Sequence, residues 1–212
     1  MSPLCESFIS SDQLDEAEAF YPLHALICDQ CFLVQLKEYV GPQNIFGDYI
    51  YFSSYSDSWV EHARRYCELM IERWELNADS LVVEIASNDG YLLQHPVERG
   101  IPCLGIEPAA NVAEVAVERG VPTHVDFFGS AVAATMAQKT GRPDLIVANN
   151  VLAHVPQLND FIQGMATLLA PAGVITLEFP HLLQLMQHNQ FDTIYHEHFS
   201  YLSLQVVEQA FA

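Results

Sequence analysis

The sequence predicts an α/β fold, a doubly wound parallel sheet preceded by a small irregular module. Five short, nearly continuous apolar runs recur at LVVEIA (81–86), PCLGIEP (102–108), THVDFF (123–128), DLIVAN (144–149) and GVITLEF (173–179). Helical stretches lie between them, roughly at 109–119, 130–140 and 158–169. Near-continuous apolar strands alternating with helices mark a sheet covered on both faces. Residues 1–57 show neither rhythm.

The elements follow in order. Residues 1–57 form the irregular module, with tyrosines in DYIYFSSYSDSW (48–59). Residues 58–77 form a linking helix: Ala63, Tyr66, Cys67, Met70, Ile71 and Trp74 fall on one apolar stripe. Ser58 is the expected N-cap, with Glu61 completing a capping box. A boundary is expected near residue 77, and residues 78–212 carry the sheet.

Composition narrows the function. The chain has 212 residues, 8 Lys+Arg and 27 Asp+Glu, so 8 − 27 gives −19. That balance argues against nucleic acid and anionic membranes as partners. No apolar run reaches the ~18 residues of a membrane helix, and the N-terminus has no signal-peptide pattern. A cytoplasmic protein is expected. Residues 143–212 contain no Lys or Arg but hold His154, His181, His188, His196 and His198, a composition suited to proton chemistry or to a merely acidic surface. Of the five cysteines only Cys28 and Cys31 are spaced as C-x-x-C.

In open α/β sheets ligands bind at the carboxyl ends of strands. The first strand ends in Glu84-Ile-Ala86-Ser87-Asn88-Asp89-Gly90, followed by Tyr91, and the second in Gly105-Ile-Glu107-Pro108. Glu107 stands where a carboxylate accepts both ribose hydroxyls, which places an adenosine over these strands. The loop lacks the G-x-G-x-x-G of dinucleotide sites. Its acidic and amide groups repel a pyrophosphate but suit a ligand bearing a sulfonium and an ammonium. E-x-A-x-N-x-G follows the methyltransferase form E/D-x-G-x-G-x-G with two glycines replaced. An ordinary strand–turn–helix with Asp89 as a cap is the plain alternative. Asn149 and Asn150, at the fourth strand end, are amides that need partners if buried.

QFDTIYHEHFSY (190–201) concentrates proton-transfer groups. Tyr195 and His198 converge if helical, and a His–Glu contact would raise an imidazole pKa and orient a base. Iron ligation by His196-x-His198, or histidines merely lining a loop, are the other readings.

These residues carry a resemblance. SLVVEIASNDGYLL (80–93), LGIEPAANVA (104–113), ANNVLAHVPQLNDF (148–161) and EFPHLLQLMQHNQFDTIYHEHFSYLSL (178–204) resemble the S-adenosylmethionine (SAM) dependent sugar C-methyltransferases, which act at C-3 of nucleotide-linked 4-keto deoxysugars. YPL…CDQCFLVQL (21–36) and DYIYFSSYSDSWVEHA (48–63) resemble their zinc-binding module and its junction. The resemblance implies a Rossmann-like class I methyltransferase sheet. It implies Tyr49, His154, Tyr195, Glu197 and His198 around the reacting sugar, with His198 as base and His154 as rival. Tyr195 and Tyr49 would hold the ketone or enolate oxygen, and Glu197 would position. Glu107 would bind the ribose and the 84–91 loop the methionyl end, with Pro108, Asn111, Asn149 and Asn150 completing the cofactor site. His181 and His196 read as structural.

The pattern departs from that family twice. The family has four zinc cysteines, whereas here Cys28 and Cys31 offer a half-site, and two thiolates do not close a structural zinc site. The family also continues into further strands and a C-terminal domain that helps bind the nucleotide. The expectation is therefore a protein truncated at both ends, with an apolar sheet edge and a need for a partner chain. Methylation of another small molecule, or a non-catalytic SAM-binding remnant, are the competing functions.

Overall fold

The computed structural model describes residues 1–5, 8–47 and 49–212. Along the chain run β1 (Ala25–Ile27), β2 (Val34–Leu36), α1 (Pro42–Phe46), α2 (Asp57–Arg73), β3 (Val82–Ile85), α3 (Gln94–Glu98), β4 (Cys103–Ile106) and α4 (Ala110–Glu118). Then come β5 (Thr123–His124), α5 (Ser130–Lys139), β6 (Leu145–Asn149), α6 (Leu158–Leu168), β7 (Val174–Glu178), α7 (Leu182–Gln187), β8 (Ser200–Tyr201) and α8 (Leu204–Ala210). Two units are distinguished. The larger comprises Phe46–Val151 and Gln157–Glu178; the smaller comprises Met1–Ile45, Leu152–Pro156 and Phe179–Ala212.

The larger unit holds a five-stranded sheet in the order β5-β4-β3-β6-β7, with every pairing parallel. Central β3 is buried at all four positions, as its continuous apolar run requires. The order reverses direction beside β3, which creates the crevice where open α/β sheets take ligands. The core contains Val82, Leu92, Leu93, Ile101, Val121, Leu145 and Val147, together with the inner face of α2 through Ala63, Cys67 and Met70. The apolar stripe of α2 therefore packs within this unit. Its N-cap is Ser56, whose Oγ accepts the Trp59 N–H at 3.4 Å, rather than Ser58. Glu61 is drawn instead to Arg64 and Arg65, at 2.7 Å from each Nε, so no capping box closes. The expected strand 123–128 shortens to two residues. Its partner β4 ends at Ile106, and one further ladder bond, from Glu107 N–H to the His124 carbonyl, follows. β7 lies at the sheet edge, its five residues all half-buried.

The smaller unit carries structure that the irregular reading of residues 1–57 did not anticipate. β1 and β2 form an antiparallel hairpin, and β8 adds to β2 with Val34 opposite Tyr201 and Gln35 opposite Ser200. The Leu36 N–H donates to the Phe199 carbonyl. This pairing draws residues 179–212 to the N-terminal hairpin, so they cluster there rather than with the rest of 78–212. The hairpin turn holds Cys28 and Cys31 and closes through Cys28 N–H to the Leu33 carbonyl, with Phe32 at φ 63°. Among the described residues no helix is long and apolar enough to cross a membrane.

Candidate active site

The loop after β3 shows why a glycine-poor sequence still makes a glycine-type turn. Ala86, Asn88 and Gly90 have φ of 58°, 49° and 77°. These are the three positions of the E-x-A-x-N-x-G pattern, and all three lie in the left-handed region that glycine enters without penalty. Asn tolerates it well, and Ala86 carries the larger cost, of order 1 kcal/mol. Gly90 has a second constraint: a Cβ there would lie 3.0 Å from Val121 Cγ2 and 3.2 Å from Ala116 Cβ.

Glu107, just past β4, ties the two loops together. One of its carboxylate oxygens accepts the Asn88 N–H and the other the Ala109 N–H, each at 2.9 Å. Each oxygen keeps a second lone pair. Burial raises the Glu107 pKa, and the two N–H bonds pull the other way. Glu84, within β3, is 1% exposed. Burial, then the charges of Glu107 and Asp89, push its carboxyl well above the usual range. Glu84 Oε2, Asp89 Oδ1 and Ser87 Oγ are buried without a hydrogen-bond partner. Three carboxylates with two unsatisfied buried oxygens favour a cationic guest and disfavour a phosphate.

The other residues of the expected cofactor set divide. The Asn88 amide engages the backbone of a neighbouring segment, accepting Ser53 N–H and donating to the Tyr51 carbonyl, both at 2.9 Å. Asn111 does the same for Tyr49, accepting its N–H at 3.2 Å and donating to its carbonyl at 2.7 Å. Their amides thus hold that segment instead of standing open to a ligand. Tyr91 is a core residue, 4% exposed, its ring stacked on Trp59 at 6.3 Å. Burial sends its phenol pKa well up. Pro108 and Asn149 are half-buried. Asn150, at φ 52°, caps β7 through its N–H to the Glu178 carbonyl at 2.7 Å, and Glu178 Oε2 meets His62 Nε2 at 2.8 Å.

The smaller unit gathers Tyr195, Glu197 and His198 with His154. The segment is a turn, not a helix: His198 N–H donates to the Tyr195 carbonyl at 3.0 Å. His198 Nδ1 faces the Thr193 carbonyl at 2.8 Å, and a carbonyl only accepts, so Nδ1 carries the proton. Nε2 therefore presents a lone pair, and it accepts the Tyr195 hydroxyl at 3.0 Å. His154 Nδ1 likewise donates to the Glu197 carbonyl at 3.1 Å, and the two imidazoles lie edge-to-face with centroids 4.6 Å apart. A pKa raised by the Glu197 carboxylate is not what results. Burial dominates: it lowers His198, and with the added effect of His198 it brings His154 to about 3. Both rings are neutral near neutrality, each with Nε2 as its basic atom. His196 stands apart, its Nε2 on the Pro22 carbonyl at 3.3 Å and its ring against Tyr21. Tyr49 belongs to the larger unit. Thr193 escaped sequence reasoning because it acts through its backbone carbonyl, which no residue type announces.

Cys28 and Cys31 lie in the turn between β1 and β2, both half-buried free thiols. The backbone N–H groups of Cys31 and Gln30, then the Cys31 thiol, lower the Cys28 pKa. Among the described residues no three His, Cys, Asp or Glu side chains gather as a metal site. Two thiolates leave a tetrahedral zinc half-coordinated, so the residues described do not complete a site.

The family matches divide the chain differently from the two units, since one of them runs on through residues 179–212. Residues 1–46 match a family described as "Putative zinc binding domain", and residues 59–212 match one described as "Methyltransferase domain". The chain is 36% identical over 203 residues, 96% of its length and 48% of the relative's, to C-methyltransferase NovU of Streptomyces niveus. It is 29% identical over 107 residues, 49% of its length and 45% of the relative's, to the ubiquinone biosynthesis O-methyltransferase of Chromobacterium violaceum. The chain thus spans about half the length of these curated relatives. Among solved structures, the PH0226 protein of Pyrococcus horikoshii superposes with a TM-score of 0.59 at 14% identity, covering 80% of this chain and 86% of that one. A SAM-dependent methyltransferase from Archaeoglobus fulgidus does so at 0.54 and 14%, covering 69% and 66%. The fold is that of the Rossmann-like class I methyltransferases, and the chain belongs to the methyltransferase-domain family.

Proposed function

We propose that this protein takes part in SAM-dependent methyl transfer to C-3 of a nucleotide-linked 4-keto deoxysugar. The observation that carries the reading is the wiring of His198. A carbon nucleophile must first lose a C–H proton, and the 4-keto group makes that hydrogen acidic. A neutral imidazole with Nδ1–H held by Thr193 and Nε2 hydrogen-bonded to a phenol is suited to that step. His198 Nε2 takes the proton, directly or through the Tyr195 hydroxyl, and Tyr195 donates to the enolate oxygen as charge develops there. His154 is a weaker base, because its pKa of about 3 leaves little driving force. The 36% identity to a C-methyltransferase supports carbon as the target.

SAM, when bound, supplies an electrophilic methyl group. The residues present fit it: the unsatisfied oxygens of Glu84 and Asp89 favour its cationic groups, and Glu107 retains lone pairs for ribose hydroxyls. Zinc at Cys28 and Cys31 would serve folding alone and requires ligands beyond these two. The acceptor's diphosphate needs donors or cations, and residues 143–212 supply no Lys or Arg.

The test is solvent deuterium exchange at C-3 of a nucleotide-linked 4-keto deoxysugar, followed by NMR. Exchange catalysed by the wild type and reduced at least about 100-fold in His198→Ala, within the usual range of general-base catalysis, supports the reading. Loss of exchange in His154→Ala with His198→Ala unaffected would exchange their roles.

A further inference from the structure

We propose that Arg119 and Ser54 are positioning residues that latch the segment Tyr49–Tyr55 across the cofactor loop and so govern the release of the methyl donor. The inference rests on the SAM reading above. It lies wholly within the larger unit.

The segment is anchored at three places by side chains. Asn111, in the first turn of α4, brackets Tyr49. Asn88 brackets Tyr51 and Ser53. At Ser54, Asp89 Oδ2 accepts both the backbone N–H, at 3.3 Å, and the hydroxyl. These anchors follow the carboxyl ends of β4 and β3, the strands over which an adenosine ligand is expected. A ligand that enters or leaves there must contend with this strap.

Three of the strap's five large side chains are exposed, Ile50 at 52%, Tyr51 at 48% and Tyr55 at 81%, while Tyr49 and Phe52 are half-buried. The strap's attachment therefore depends largely on polar bonds, and segments held that way open at low free-energy cost. Arg119, which follows α4, completes the attachment. Nη1 donates to the Asp89 carbonyl at 2.9 Å and lies 3.0 Å from Asp89 Oδ2, while Nη2 donates to Ser54 Oγ at 2.8 Å. The Ser54 hydroxyl thus accepts from Arg119 and donates to Asp89. One guanidinium fork spans loop and strap together, which a lysine ammonium cannot reproduce. Asp89 is fully buried with Oδ1 unsatisfied, and Arg119, 3.0 Å from Oδ2, is its cationic partner.

The experiment uses three variants of the full chain: Ser54→Ala, Arg119→Lys and Ser54→Thr. SAM dissociation is followed by stopped flow and calorimetry, strap opening by hydrogen exchange at the Ser53 and Ser54 amides, and folding by the melting temperature. The expected result is dissociation faster by about 10-fold in Ser54→Ala and Arg119→Lys, as for loss of a charge-assisted bond. Amide exchange at Ser53 and Ser54 should accelerate in parallel, and Ser54→Thr, which retains the hydroxyl, should behave as wild type. Faster amide exchange with SAM dissociation within twofold of wild type overturns the proposal and leaves SAM binding standing. No SAM binding by the wild type overturns the SAM reading and this proposal with it.

Discussion

The Thr193 carbonyl, at 2.8 Å from Nδ1, settles which ring nitrogen of His198 holds the hydrogen, and the proposed proton transfer depends on that tautomer. Glu84 shows burial acting on an acid. Its folded-state pKa is raised, first by burial and then by Glu107 and Asp89. A raised pKa means the folded state binds more protons than the unfolded one above pH ~4.5. Its contribution to stability is present below that value and is lost as pH rises toward the folded pKa, by up to about 1.4 kcal/mol per pH unit. Glu84→Gln should therefore gain melting temperature over the ligand-free wild type on going from pH 5 to pH 8, measured by calorimetry in paired buffers. A difference that does not change with pH would contradict it. The density of histidines and tyrosines in 190–201 was readable from residue type. The direction of the imidazole shifts was not, because it depends on burial and on the Glu197 backbone carbonyl rather than its carboxylate.

At the scale of elements, the Ala86–Gly90 loop explains how spacing outlasts identity. Three left-handed positions two residues apart define the turn, and only the last still needs glycine. Gly90→Ala adds backbone strain to a contact with Val121 and Ala116. It should destabilise by about 1–3 kcal/mol, read from urea unfolding, and an unchanged midpoint would count against the loop's rigidity. Strands β3, β4 and β6 were legible because each is a largely buried apolar run. The β1–β2 hairpin was not, because β1 is exposed at all three of its residues and so carries no alternation. THVDFF was over-read as a strand because its apolar residues outrun the partner strand. Asn88 was legible as a polar group in the loop after a strand, and Asn111 entered only through the family resemblance. That their partners are strap backbone could not be read from residue type.

For the whole molecule, two kinds of equipment occur on one chain. The larger unit has an acidic loop with unsatisfied carboxylate oxygens. The smaller has neutral imidazoles wired to a phenol and backbone carbonyls. A methylation at oxygen needs no carbon acid to be ionised, whereas a methylation at carbon needs both. The net charge of −19 agrees with a cationic methyl donor, and residues 143–212 carry no Lys or Arg. The most direct measurement supplies the protein with methyl-13C SAM and a nucleotide-linked 4-keto deoxysugar and locates the labelled methyl by carbon–proton correlation NMR. A new methyl on C-3, absent with His198→Ala, is the expected result. A labelled methyl on oxygen, or one that still forms on carbon with His198→Ala, would contradict the proposal.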